Sequence, residues 1–71
     1  MQDRLRLDLI ELDMQYEQIT GHNAFLYVDQ TDSGPGAYHF SDDHVVYGVR
    51  SAIAHMKWLL HVAAEEMEES A

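Results

Sequence analysis

The chain has no cysteine, which removes disulfide staples and thiolate metal sites together and fits a reducing compartment, so a cytoplasmic location is expected. Proline occurs once, at Pro35, and glycine four times. Basic residues are scarce: four Lys and Arg stand against 13 Asp and Glu, a formal net charge of -9 over 71 residues. Such a surface repels nucleic-acid phosphates and anionic lipid, and it is attracted to basic protein surfaces. No apolar run is long enough to span a bilayer. The opening stretch MQDRLRLDLIELD sets acids among its leucines and has no small-residue cleavage site, so a signal peptide is not expected.

Seventy-one residues make one small domain. A chain this short buries only about 60% of the surface its unfolded form exposes, so its stability margin is thin. The 46% hydrophobic content, with one Trp, four Tyr and two Phe, is enough for a compact core. Periodicity places the elements. Leu5, Leu9, Leu12, Tyr16 and Ile19 form one narrow helical stripe, which predicts a first helix over about 4–20 with Asp3 as N-cap. Gly21 stands where a left-handed C-cap belongs. Strict alternation over 4–9 also admits a strand, but the stripe continues past it and the residues are good helix formers. Leu7, Ile10 and Met14 make a second apolar line on the far side.

Residues 24–28 (AFLYV) and 37–40 (AYHF) have β character and flank TDSGPG, the strongest break in the chain. They predict an antiparallel hairpin over about 24–40, with Phe25 and Tyr27 on one face and Leu26 and Val28 on the other. Ser41, Asp42 and Asp43 suit a helix start, and a long helix is expected over about 42–68. Its core stripe is Val45, Val49, Ala52, Met56, Leu59, Leu60, Ala63 and Met67. A second line holds Tyr47, Ser51, Ala54, Trp58 and Val62. Gly48 is costly inside a helix, by about 1 kcal/mol relative to alanine. It admits a third strand over 44–49 with the helix starting near Ser51; the unbroken stripe from Val45 favours the helix. The expected fold is α+β, a small αββα domain with two helices packed on the hairpin. Glutamates at 65, 66, 68 and 69 crowd the negative end of the long helix, an unfavourable position.

No pattern names a reaction. On one helix His55 and His61 are separated by about 240°, and His44 would lie about three turns from His55. His39, Asp42, Asp43 and His44 are close in sequence but lack the spacing of a strong metal motif. The adjacent carboxylates of Asp42 and Asp43 suit capping better than acid–base work. Ser33, Ser41 and Ser51 have no evident triad partners, and Gly34-Pro35-Gly36 lacks the lysine of a phosphate loop. No catalytic residue, metal or cofactor is therefore assigned, and an enzyme is not expected. Trp and Tyr favour interface centres, so Tyr47 and Trp58 are candidate anchors if exposed. Asp29, Asp32, Asp42 and Asp43 would form an acidic patch at the hairpin rim, and Glu65, Glu66, Glu68 and Glu69 another.

In size, lack of cysteine, helix–hairpin–helix order and charge, the chain resembles the small acidic inhibitors encoded by bacteriophages, the anti-CRISPR proteins among them. That resemblance rests on bulk properties of the whole chain and carries over no functional residue. It implies an acidic protein that docks on a basic, nucleic-acid-handling partner in the host cytoplasm and blocks it by charge mimicry. The competing reading is an assembly module that pairs with a second copy through the outer helix faces, giving a homodimer.

Overall fold

The computed structural model describes residues 2–30 and 34–70, with side chains over 4–30 and 34–68. In chain order the elements are α1 (Gln2–Thr20), β1 (Phe25–Asp29), β2 (Ala37–Phe40), β3 (Val45–Tyr47) and α2 (Val49–Ser70). The fold is α+β, as its periodicities predict, with one strand more than the expected hairpin.

The leucine stripe folds α1 onto the body. Leu9 is fully buried, and Leu5, Leu12, Tyr16 and Ile19 are half-buried beside it. The helix stops at Gly21, whose φ of 84° is free of the Cβ clash other residues meet there, and whose N–H donates to the Glu17 carbonyl at 2.8 Å. Leu7, Ile10 and Met14, on the other side, are exposed.

The three strands form an antiparallel meander in the order β1-β2-β3. Phe25 pairs with Phe40 but Tyr27 with His39, so Leu26 is an extra residue in β1. This bulge corrects the simple alternation expected for the strand. Phe25 and Val28 both reach the core, while Leu26 and Tyr27 are exposed. Tyr38 and Phe40 of β2 join Leu9, Ala24, Ala52, Met56 and Leu59 in the core cluster, so both helices cover the same sheet face. Among the described residues, no helix covers the opposite face. Tyr27, His39 and Val45 lie in a row across it, with Tyr27 and Val45 exposed and the Tyr27 and His39 rings stacked at 4.2 Å.

The long helix expected over 42–68 begins only at Val49, and residues 45–47 are β3. Two features decide this. Val45, Val46 and Tyr47 are β-branched and aromatic, and as a strand they bury Val46 partly and leave Val45 and Tyr47 outside. Gly48 then adopts φ 89°, which no right-handed helix contains. Its N–H donates to the Gly36 carbonyl at 2.9 Å, and its own carbonyl accepts the first helical bond, from Ala52. Gly48 is the cap of α2, not an interior residue.

Ser41, Asp42 and Asp43 therefore start no helix. They form the β2–β3 turn, closed by Phe40 N–H to the His44 carbonyl at 3.0 Å and Asp43 N–H to the Phe40 carbonyl at 3.1 Å. Asp43 is left-handed, with φ 68°. A tight turn followed by one left-handed residue is a common three-residue hairpin, and Asp tolerates that conformation better than most side chains. On α2, Ala52, Met56, Leu59 and Ala63 are buried, whereas Met67 is exposed. The two helices run in the same direction: Tyr16 and Ile19 share a groove with Ala63 and Met67, and Arg6 shares one with Val49 at the other end. Their negative ends thus lie together.

Candidate functional site

Tyr47 and Trp58 are both on the surface, 64% and 55% exposed. They do not form the continuous helical line suggested by their spacing, because Tyr47 belongs to β3 and Gly48 breaks the helix between them. Of that line, Ser51, Ala54 and Trp58 are exposed on α2, and Val62 is half-buried.

The acidic residues separate as well. Asp29 pairs with Ala37 at one end of the sheet, whereas Asp42 and Asp43 occupy the turn that follows Phe40 at the other. Strand direction therefore splits the expected rim patch in two. Asp32 lies outside the described residues. Glu65 Oε1 lies 2.9 Å from His61 Nε2, one turn earlier on α2, an ion pair when His61 is protonated. Glu66 and Glu68 are exposed beyond it, and the side chain of Glu69 is outside the described set.

Around Asp42 the turn does something the sequence does not announce. Asp43 stands between Asp42 and His44 in its left-handed conformation, and the side chains on either side of it meet. His44 Nδ1 lies 2.9 Å from Asp42 Oδ2. His55 Nε2, from the second turn of α2, lies 3.0 Å from the same oxygen. A carboxylate only accepts, so His55 Nε2 donates a hydrogen bond to it, while His44 Nδ1 makes a close ion-pair contact with the same oxygen. Asp42 Oδ1 accepts the His44 backbone N–H at 3.2 Å. The two imidazole rings are 4.7 Å apart. This corrects the three-turn separation expected for His44 and His55, which held only if both sat on one helix.

His55 is well packed. Its ring meets the Phe40 ring edge-on at 4.7 Å and stacks on Trp58 at 5.9 Å, leaving the side chain 12% exposed. The His44 side chain is 61% exposed and the Asp42 side chain 28%, both on residues at the surface. Desolvation opposes the charge on Asp42. The backbone N–H of His44, the hydrogen bond from the His55 ring and the positive potential of both imidazoles outweigh it, lowering the pKa of this carboxyl from its ordinary value. Among the described residues, Asp42, His44 and His55 are the one group of three ligand-type side chains whose donor atoms all fall within 4.8 Å. His39 is not part of it, being stacked on Tyr27 at the sheet face opposite the helices, and Asp43 contributes backbone geometry only.

A sequence signal for this grouping exists in retrospect. Ser-Asp-Asp between two β-type runs is as good a hairpin turn as a helix start, and the hairpin reading brings residue 44 back toward α2. No helix among the described residues is long and apolar enough to cross a membrane. Compared with protein-family models, with characterised proteins and with solved structures, the chain matches none.

Proposed function

We propose that this is a non-enzymatic acidic binding protein that docks on a basic, nucleic-acid-handling protein and blocks it by imitating a row of phosphates. The observation that carries the reading is the pairing of a formal charge of -9 with large aromatic side chains left on the surface, Tyr47 and Trp58. The carboxylates supply long-range attraction and a fast encounter; the aromatics supply short-range hold. Asp43, Glu65, Glu66 and Glu68 support it from exposed positions on the turn and on α2, with Asp29 at the other end of the sheet. The parallel helices add their negative ends on the same side as the glutamates.

The test is isolation of the partner from host extract, followed by competition. A nucleic acid bound by the partner should displace the protein. Affinity should also fall steeply between low and high ionic strength. Amide substitutions at Asp29, Asp43, Glu65, Glu66 and Glu68 should abolish inhibition while leaving the fold intact. Binding that is flat in salt and indifferent to nucleic acid sinks the mimicry.

A second reading is self-association. It is favoured by the exposed line of Leu7, Ile10 and Met14 on α1, apolar surface that a second copy would cover. A stable dimer by mass measurement, dissociated by Met14→Asp, would put this reading first.

A further inference from the structure

We propose that Asp42, His44 and His55 bind one divalent metal ion of the borderline class, with zinc the best fit, and that the ion fastens the β2–β3 turn to α2. The proposal is independent of the docking function above.

The donor set is two imidazole nitrogens and one carboxylate oxygen, with no thiolate anywhere in the chain. Three such ligands with the fourth position left to water is a common zinc arrangement. Two imidazoles favour zinc, copper or nickel, whereas magnesium and calcium take mainly oxygen donors. The distances are close to those required. Ligands at zinc–nitrogen and zinc–oxygen distances of about 2.0–2.1 Å stand about 3.3 Å apart at the corners of a tetrahedron. Here the two nitrogen–oxygen edges are 2.9 and 3.0 Å, and no donor pair exceeds 4.8 Å. The edges open by a few tenths of an ångström, and the two imidazoles draw together.

The proton that His55 Nε2 donates to the carboxylate, and any carried by His44 Nδ1 beside it, must leave those nitrogens. Each neutral ring then carries its proton on its other nitrogen, Nε2 in His44 and Nδ1 in His55, and presents a lone pair to the metal. Positioning is already provided. The His44 backbone N–H holds the second carboxylate oxygen of Asp42. Phe40 and Trp58 fix the His55 ring from two sides. Exposed His44 leaves an approach from solvent, and the acidic surface raises the local concentration of cations. The competing site, His61 with Glu65, offers only two donors and is fully on the surface.

Trp58 is the only tryptophan, and it stacks on a proposed ligand, so its fluorescence reports the site directly. The experiment is a titration of the chelator-treated protein with zinc, read by Trp58 emission and calorimetry, with cobalt as a spectroscopic substitute. Saturation at one ion per chain is expected, with a change in Trp58 emission, cobalt absorption of four- or five-coordinate intensity, and a raised Tm. His44→Ala and Asp42→Asn should each weaken zinc binding by at least about tenfold, since even outer-shell changes commonly cost that much. His61→Ala should leave it unchanged. The exposed position of His44 keeps that variant folded, so its result stands even where His55→Gln fails to fold. Absence of saturable zinc binding overturns the proposal, as does binding that survives His44→Ala or disappears with His61→Ala.

Discussion

The carboxylate of Asp13 on α1 accepts the backbone N–H of Ala24 at 2.8 Å, fixing the first helix to the entry of the sheet. The same oxygen also accepts the Phe25 N–H at 3.2 Å, and the other oxygen accepts the Asn23 side-chain amide at 3.1 Å. Ala24 is completely buried, so its N–H has no access to water. Asp13 itself is the one buried charged residue among those described, and these bonds are what make that position tolerable. Asp13→Ala would leave a buried donor unpaired and should cost about 1–3 kcal/mol in urea unfolding. Asp13→Asn, which keeps an acceptor oxygen, should lose less.

Backbone handedness at the two ends of β3 gives a second expectation. Gly48→Ala should cost about 1–2 kcal/mol, the penalty of a Cβ in the left-handed region. Space is not the cause, since the nearest atom to an added Cβ is Pro35 Cβ at an ordinary 3.7 Å. At Asp43, also left-handed, glycine should be at least as stable as aspartate, and Asp43→Val should be less stable by about 1–2 kcal/mol. Thermal melts of the three variants check both positions.

Asp42 predicts a particular acid response in chelator-treated protein. Its folded-state pKa lies below the unfolded value of 3.8, so its carboxylate contributes stability that is fully present above that value. The contribution is lost as the pH falls through the folded value. The stability difference between the natural protein and Asp42→Asn should therefore persist from neutral pH down to about 4 and close below it. Urea midpoints measured across that range supply the test. A gap that stays constant down to pH 2 would contradict the assignment.

Core and surface leucine-type residues on the helices should behave oppositely. Met56 is one of the two largest fully buried side chains, and Met56→Ala should cost about 2–5 kcal/mol. Leu7→Ser and Met14→Ser, at exposed positions, should change monomer stability by no more than about 0.5 kcal/mol. A large loss at Met14 that grows with protein concentration would instead reveal a buried surface between copies.

Much of the fold was legible in residue order alone. The α1 stripe is the buried side of α1, Gly21 caps it, and 25–29 and 37–40 are paired strands. The failures lie between 41 and 49. Val45 and Val49 share a helical stripe with Ala52 and Met56, but Val45, Val46 and Tyr47 are equally good as a short strand, and periodicity cannot separate the two over three residues. Leu26 shows the same limit, since a bulge shifts the side chains after it without marking the composition. The candidate site inherited the error: with His44 placed on a helix, it stood far from His55.

The sequence by itself determined the charge, the absence of thiols, the α+β class and most of the residues that line the core, because these depend on composition and local period; Val45 and Met67, on the same expected stripe, are exposed. Tertiary structure alone decided which side chains meet. Asp13 reaches Ala24, and Asp42 gathers His44 and His55, only because chain reversals at Gly21, Asp43 and Gly48 return distant segments to one another. Each reversal depends on a single backbone angle, and hydrophobic periodicity contains no information about that angle.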